Sequence, residues 1–365
     1  MSIELIISLV KANIVLAVLL TNTILLIWFE RKVVAGMQSR VGPDRAGPFG
    51  ILQTLADAIK LLLKEQILPS KADRAMYLLA PLIALVPSFL IFMIIPLGPD
   101  ITVEWQNALY TIPLVGADLN VGVLYFLAFS SIAVYSVVLA GWSSGSKYPL
   151  LGGVRASAQM ISYEAAMGLA LVPVILYSGS LSLVDIVNSQ SGNLSSSIPI
   201  LNTIVSFIPK WNIFPQFVAF GIFFIAAVAE VNRAPFDLVE AEQELVGGFH
   251  TEYSGFRFAM FFLAEYINMF NMCAITATFF LGGWLGPTFE GILPPIFSVI
   301  MPIIWLGVKT FLLLFVFVWI RATLPRLRYD QLMELGWKRM IPLSLVWLIL
   351  SAIVLGLREF GLPWS

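Results

Sequence analysis

The sequence predicts an all-α, polytopic integral membrane protein with about eight transmembrane helices and an interfacial amphipathic helix between the first two. Three observations carry that expectation. Of the 365 residues, 59% are hydrophobic and 12% charged, with a mean hydropathy of +0.90, far from the usage of soluble domains. Eight stretches approach the roughly 20 apolar residues that a spanning helix needs. The charges gather in a few short segments between those stretches instead of spreading over a surface.

The first stretch, about 12–29, is an unbroken apolar run from Ala12 to Phe29 that ends at Glu30-Arg31-Lys32. It has no small-residue cleavage signature and reads as a span that stays. Next comes "VGPDRAGPFGILQTLADAIKLLLKEQ", where Gly42-Pro43 and Gly47-Pro48 mark turns and residues of about 49–65 form an amphipathic helix. Gln53, Asp57, Lys60 and Lys64 fall at i, i+4, i+7 and i+11, and Ile51, Leu55, Ile59 and Leu62 make the opposite face. It is too short and too amphipathic to span, so it is expected to lie in the interface plane.

Further spans are expected at about 75–98, 120–142, 157–178, 212–231, 257–284, 297–320 and 340–357, all within one membrane domain covering 1–365. The Ser/Asn-rich segment 182–203 reads as a surface loop. The fifth span should stop near Arg233, because Pro235 disfavours helix at Ala234.

Segments 30–74, 143–156, 232–257 and 321–339 hold 17 of the 21 basic residues; Lys11, Lys210 and Arg358 lie on the other face, and Lys309 falls inside a span. By the positive-inside rule those four segments face the cytoplasm or its equivalent, and an even span count puts both termini outside. The net charge of −1 carries no indication of a nucleic-acid partner. A single Cys (Cys273) and a single His (His250) cannot assemble an iron-sulfur cluster, a bis-His haem or a Cys/His zinc site from this chain alone. Any redox cofactor belongs to a partner.

An ionisable group inside a span costs roughly 2.5–3.5 kcal/mol and is by default a functional candidate. Glu164, Glu265 and Lys309 are the three. The alternative for each is a structural buried pair. The stretch "AEVNRAPFDLVEAEQELVGG" sets Glu230, Asp237, Glu240, Glu242 and Glu244 against Arg233 at the end of the fifth span. If residues 236–246 are helical, Asp237, Glu240 and Glu244 share one face and titrate as a coupled set. A solvated acidic helix end accounts for the same pattern.

Four stretches, "FERKVVAGMQSRVGPDRAGPFGILQTLADAIKLLLKE", "GWSSGSKYPLLGGVRASAQMISYE", "AEVNRAPFDLVEAEQELVGGFHTEYSGFRFAMFFLAEYINM" and "KTFLLLFVFVWIRATLPRLRYDQLMELGWKRMIP", closely resemble the quinone-chamber membrane subunit of respiratory complex I. This is the NADH-quinone oxidoreductase H-subunit family, which includes mitochondrial subunit 1. The resemblance runs from about Glu30 to Pro342 and implies an eight-span, non-redox subunit of a proton-pumping complex. It implies that Arg31, Arg40, Asp57 and Phe236 line or gate the quinone entrance and chamber. It also implies that Glu230, Arg233, Asp237, Glu240, Glu242, Glu244 and Glu252 form the mouth of a proton relay that Glu164 and Glu265 continue inside the bundle.

Implied partners are hydrophilic-arm subunits with the terminal iron-sulfur cluster and the quinone-reducing tip, and small and antiporter-like membrane subunits. Quinone and membrane lipid complete the set. FMN and iron-sulfur clusters would sit on those partners, with no cofactor bound by this chain and quinone as its substrate. The expected location is a bacterial inner membrane, or an organellar or archaeal energy-converting one. Two other readings stand beside this one. One is the matching subunit of a related complex fed by ferredoxin, a deazaflavin or a photosynthetic donor; the other is a stand-alone transporter, although no repeated halves are visible.

Overall fold

The computed structural model describes residues 3–105, 108–193, 209–237, 246–287 and 296–360. Among them the chain is almost entirely helical. Helix α1 (Ile3–Met37) is followed by a short 3₁₀ turn (Pro48–Gly50), α2 (Gln53–Leu63), α3 (Arg74–Met93), α4 (Gly122–Ser143), α5 (Lys147–Ser178) and α6 (Leu183–Ser189). Then come α7 (Phe217–Glu230), a 3₁₀ turn at Gly248–His250, α8 (Gly255–Phe280), α9 (Ile296–Thr323), α10 (Tyr329–Glu334) and α11 (Ile341–Phe360). A π-helical turn, Leu335–Met340, joins the last two without a break.

Among the described residues, seven helical runs are long and apolar enough to cross a membrane: Lys11–Met37, Arg74–Met93, Gly122–Ser143, Lys147–Ser178, Gly255–Phe280, Ile300–Thr323 and Tyr329–Arg358. The chain is a multi-pass membrane protein. Spanning segments keep every backbone group bonded internally, and their outward faces carry bare apolar side chains such as Leu345, Ile349, Ile353 and Trp319.

The fifth span differs from expectation. Instead of 212–231, the helix covers the 14 residues Phe217–Glu230, about 21 Å at 1.5 Å per residue against a hydrocarbon core of ~30 Å. Residues 212–216 are taken out of the helix by polar anchors: Asn212 Nδ2 donates to Phe279 O at 2.9 Å, and Ile213 N donates to Phe280 O at 2.9 Å. Both tie the start of α7 to the end of α8. At its other end, Arg233 and a cis Ala234–Pro235 peptide turn the chain away. Glu230 therefore closes a short, buried helix.

Other boundaries shift for local reasons. Helix α5 begins at Lys147, ten residues before the apolar run, because its first turns pack on α4 through small residues. Gly141 and Gly153 come together there, and a Cβ at Gly153 would lie 3.3 Å from Gly141 Cα. Helix α3 starts at the cap supplied by Asp73, whose Oδ1 accepts from Ala75 N and Met76 N at 3.1 and 3.3 Å. The link between α3 and α4 contains a hairpin that the apolar pattern does not announce. Strands β1 (Ile101–Trp105) and β2 (Ala108–Ile112) pair antiparallel with Ile101 opposite Ile112.

The amphipathic helix forms as α2, with Leu55, Ile59 and Leu62 exposed, as an interfacial helix requires. The loop after α7 is pinned at the end of the bundle that carries most of the basic residues. Tyr77 and Tyr253 stack at 4.1 Å, Tyr77 Oη donates to Glu252 O at 2.7 Å, and a Cβ at Gly152 would come within 2.7 Å of Gly248 Cα. This close approach fixes the Gly248–His250 turn against α5.

Candidate functional site

Buried charges persist only when paired, and the basic end of the bundle contains one such group built from four elements. Glu30 of α1 and Arg233, just past α7, are both 4% exposed. Arg233 Nη1 donates to Glu30 Oε1 at 3.2 Å, and Arg321 of α9 also donates to Glu30 Oε1. Arg233 Nε lies 2.7 Å from Glu265 Oε1 of α8, an ion pair by distance without the alignment of a full hydrogen bond. The guanidinium is centred 4.4 Å from the ring of Tyr266, the next residue on α8. Burial opposes the charge of Arg233, but Glu265 and Glu30 outweigh it and hold the group protonated.

A second pair of carboxyls lies deeper. Ser130 and Ser131, consecutive on α4, hydrogen-bond to Glu230 of α7 (3.0 Å) and to Glu164 of α5, respectively. The adjacent serines draw the two carboxyls towards one stretch of α4. Glu230 of this pair and Glu265 of the ion group meet at a cavity of about 60 Å³ that His250, Asn232, Asn268 and Ser136 also line, among others. Glu230 Oε2 and Asn268 Oδ1 have no hydrogen-bond partner in the protein. A water needs roughly 10–15 Å³, so the space suits about four to six waters with polar atoms to receive them. Burial among Phe249, Phe258 and Phe261 pushes the His250 imidazole down to about 4, so it is neutral at pH 7.

A larger, open chamber of about 810 Å³ lies on the other side of the ion group. Glu30, Arg31, Gln38, Arg40, Tyr266 and Arg321 line it. Arg31 Nη1 pairs with Asp57 Oδ2 at 2.7 Å, Gln53 Nε2 donates to Asp57 Oδ1 at 3.1 Å, and Lys60 Nζ stands 3.7 Å away. Partial burial raises the Asp57 carboxyl, but the Arg31 and Gln53 hydrogen bonds and the charges of Arg31 and Lys60 outweigh it. They hold the group below the ordinary carboxylate value. The charged face of α2 is thereby clamped to α1 at the chamber rim.

The residues singled out from sequence thus fall into clear sets. Arg31 and Arg40 line the chamber, and Asp57 braces Arg31. Arg233 and Glu265 form the ion group, and Glu230 and Glu164 the serine-linked pair. Phe236 lies in the packed core instead, 5.3 Å from the Tyr163 ring, with its carbonyl accepting from Gln159 Nε2 at 2.8 Å. Glu252 contributes its carbonyl to Tyr77 and is absent from the lining of either space. Asp237 is half-buried beside the loop's start, and Glu240, Glu242 and Glu244 lie outside the described residues.

Lys309 is placed elsewhere. Its ammonium donates to Leu281 O (2.6 Å), Gly283 O (2.9 Å) and Leu285 O, and it sits 4.3 Å from the Trp211 ring. Three N–H groups meet three carbonyls, which caps the end of α8. Among the described residues no carboxylate pairs with it.

Glu30, Arg321, Tyr266, His250 and the serine pair join the site without having been singled out from sequence. Ser130-Ser131 is a polar break in an apolar run, which is the signal that marks it. Glu30 resembles any charge at a span end, and only the fold shows that it points inward.

A profile of the family described as NADH dehydrogenase matches residues 10–352. The chain is 47% identical over 362 residues to the NADH-quinone oxidoreductase H-subunit 2 of Koribacter versatilis, covering 97% of this chain and 98% of that one. It is 51% identical over 336 residues to the H-subunit 2 of Syntrophobacter fumaroxidans, covering 92% of each. It is 50% identical over 346 residues to the H-subunit of Ralstonia nicotianae, covering 95% of this chain and 91% of that one.

Proposed function

The chain belongs to the NADH-quinone oxidoreductase H-subunit family, and from that premise we propose that it walls the quinone chamber of the complex and couples quinone reduction to proton movement. As a component of that oxidoreductase it works with partner subunits. In this reading FMN and iron-sulfur clusters sit on those partners, and this chain guides quinone without donating electrons. Reduction of a quinone to quinol takes two electrons from the partners and two protons from the site.

One observation carries the reading: Glu30 lines the 810 Å³ chamber, Glu265 lines the 60 Å³ polar cavity, and Arg233 bridges the two carboxylates. A change of charge in the chamber therefore has a short, buried path to the cavity, and from there to Glu230 and Glu164. In a low-dielectric interior such a change is felt over several ångströms with little screening. Arg31, Arg40 and the bracing Asp57 would position the quinone headgroup as it passes, and Phe236 would act indirectly by packing under the loop. Asp237, Glu240, Glu242, Glu244 and Glu252 would supply protons to the mouth of the relay.

The test is Glu265→Gln and Glu230→Gln in the assembled complex. NADH-driven quinone reduction per assembled complex, normalised on native gels, should fall at least about tenfold in each with the amount of complex unchanged. Full activity in both variants would remove the relay.

A further inference from the structure

Ser130 and Ser131 are neighbours on α4 and serve carboxyls on two different helices. Consecutive helical residues point ~100° apart, so α4 reaches an acid on α5 and another on α7 with adjacent positions. The two hydroxyls are not equivalent. Ser131 Oγ lies 3.0 Å from Leu127 O, one turn back, as well as bonding to Glu164. A hydroxyl has one proton to donate and two lone pairs to accept with, so it cannot donate to both.

That constraint yields two complete hydrogen-bonding states. With Glu164 ionised, Ser131 donates to the carboxylate. With Glu164 protonated, the carboxyl O–H donates to Ser131 Oγ and the serine hydrogen turns to Leu127 O. Ser130 has only Glu230 Oε1 as partner among the described contacts. Glu230 keeps the other oxygen, Oε2, without a protein partner, and the residue lines the polar cavity. Glu230 is thus served by the same hydroxyl in either protonation state and exchanges its proton on the cavity side.

We infer that Ser131 is a positioning residue for Glu164, a rotating hydroxyl that holds this carboxyl equally with and without its proton. This inference rests on the relay reading above and adds a residue to it.

The experiment compares Ser131→Ala with Ser131→Thr and Glu164→Gln in the assembled complex, measuring kcat and KM with NADH and a short-chain quinone. Ser131→Ala should lower kcat roughly tenfold, the factor that corresponds to one hydrogen bond to a charged group. KM for quinone should stay at its native value, because Ser131 is not part of the chamber wall. Ser131→Thr keeps an oxygen able to bond the carbonyl one turn back and should restore kcat. Should the alanine variant fail to accumulate, Ser131→Cys, which fills the space but donates weakly, carries the same comparison with threonine.

A native kcat in the alanine or cysteine variant, or a threonine variant as slow as alanine, overturns the inference. If Glu164→Gln is slow while Ser131→Ala is native, the relay stands and only the role of Ser131 falls. If both are native, the relay itself falls.

Discussion

Removing the charge of Arg233 is the most informative single perturbation of the site. The guanidinium is 4% exposed, 3.2 Å from Glu30 and 2.7 Å from Glu265. Glu30 retains Arg321 after the change, and Glu265 loses its ion pair with Arg233. Removing one partner of a buried ion pair costs ~3–5 kcal/mol, mostly as the penalty of the charge left behind. That is roughly two to three and a half powers of ten in an equilibrium constant, enough to deplete the assembled complex. Arg233→Gln should therefore lower both the abundance of complex on native gels and its turnover. Adding Glu265→Gln removes the carboxylate that Arg233 neutralises, and the double variant should recover abundance towards that of the native complex while quinone reduction stays low. The coupling energy of this cycle should be of the order of 2–3 kcal/mol. A double variant no more abundant than Arg233→Gln alone would mean that Arg233 does not neutralise Glu265, and the bridge between chamber and cavity would lose its basis.

Arg31→Ala and Asp57→Asn should each raise the apparent KM for short-chain quinones with a smaller effect on kcat, since both disturb the chamber rim and not the buried relay; native KM values in both would return these residues to a structural role. The Asp57 carboxyl is held below its ordinary value, so its pair is intact above the usual carboxylate range and is lost as pH falls through the lowered value, and KM should rise only at that acid end. His250 is neutral down to about 4 while an unfolded histidine gains its proton near 6.5, so the native protein should lose stability as pH falls from ~6.5 towards 4. Comparing acid inactivation of the native complex with that of His250→Gln checks this, and identical acid sensitivity would refute it. Lys309→Met should lower the melting temperature of the complex, because three carbonyls lose their donor at ~1–3 kcal/mol each, yet leave turnover per assembled complex near native; a specific loss of turnover would make Lys309 part of an ion path.

The helices were legible because lipid imposes a composition on every span, and the amphipathic helix because its charges repeat at i, i+4, i+7 and i+11. The short fifth helix was not. Residues 212–216 (Asn-Ile-Phe-Pro-Gln) adjoin the apolar run without a charge to mark a boundary, and hydrogen bonds from Asn212 and Ile213 to the end of α8, sixty-odd residues away in sequence, hold them outside the helix. The hairpin at 101–112 has no apolar run to reveal it and lies between two strong spans that dominate the pattern. Among site residues, intramembrane acids stood out by rarity, as Glu164 and Glu265 do. Glu30 did not, since a charge at a span end is ordinary and its inward direction depends on Arg233 and Arg321 arriving from distant parts of the chain. Phe236 illustrates the reverse case: motif resemblance places it at the chamber, while its neighbours Tyr163 and Gln159 place it in the core.

The chemistry of the bridge also constrains what passes along it. A guanidinium has five N–H donors, no acceptor, and does not deprotonate in proteins, so Arg233 cannot relay a proton from Glu30 to Glu265. It can shift its attraction from one carboxylate to the other. If Glu30 gains or loses charge as quinone is reduced beside it, Arg233 leans towards whichever carboxylate is more negative, and Glu265 feels the change across a few ångströms of poorly screened interior. The link between chamber and cavity is then electrostatic, and the protons that answer it must come from the cavity side, where Glu230 Oε2 is open to water-sized space. In the proposed function, a path divided in this way would keep protons bound for translocation apart from those consumed by the quinone, which an unbroken chain of carboxylates would not.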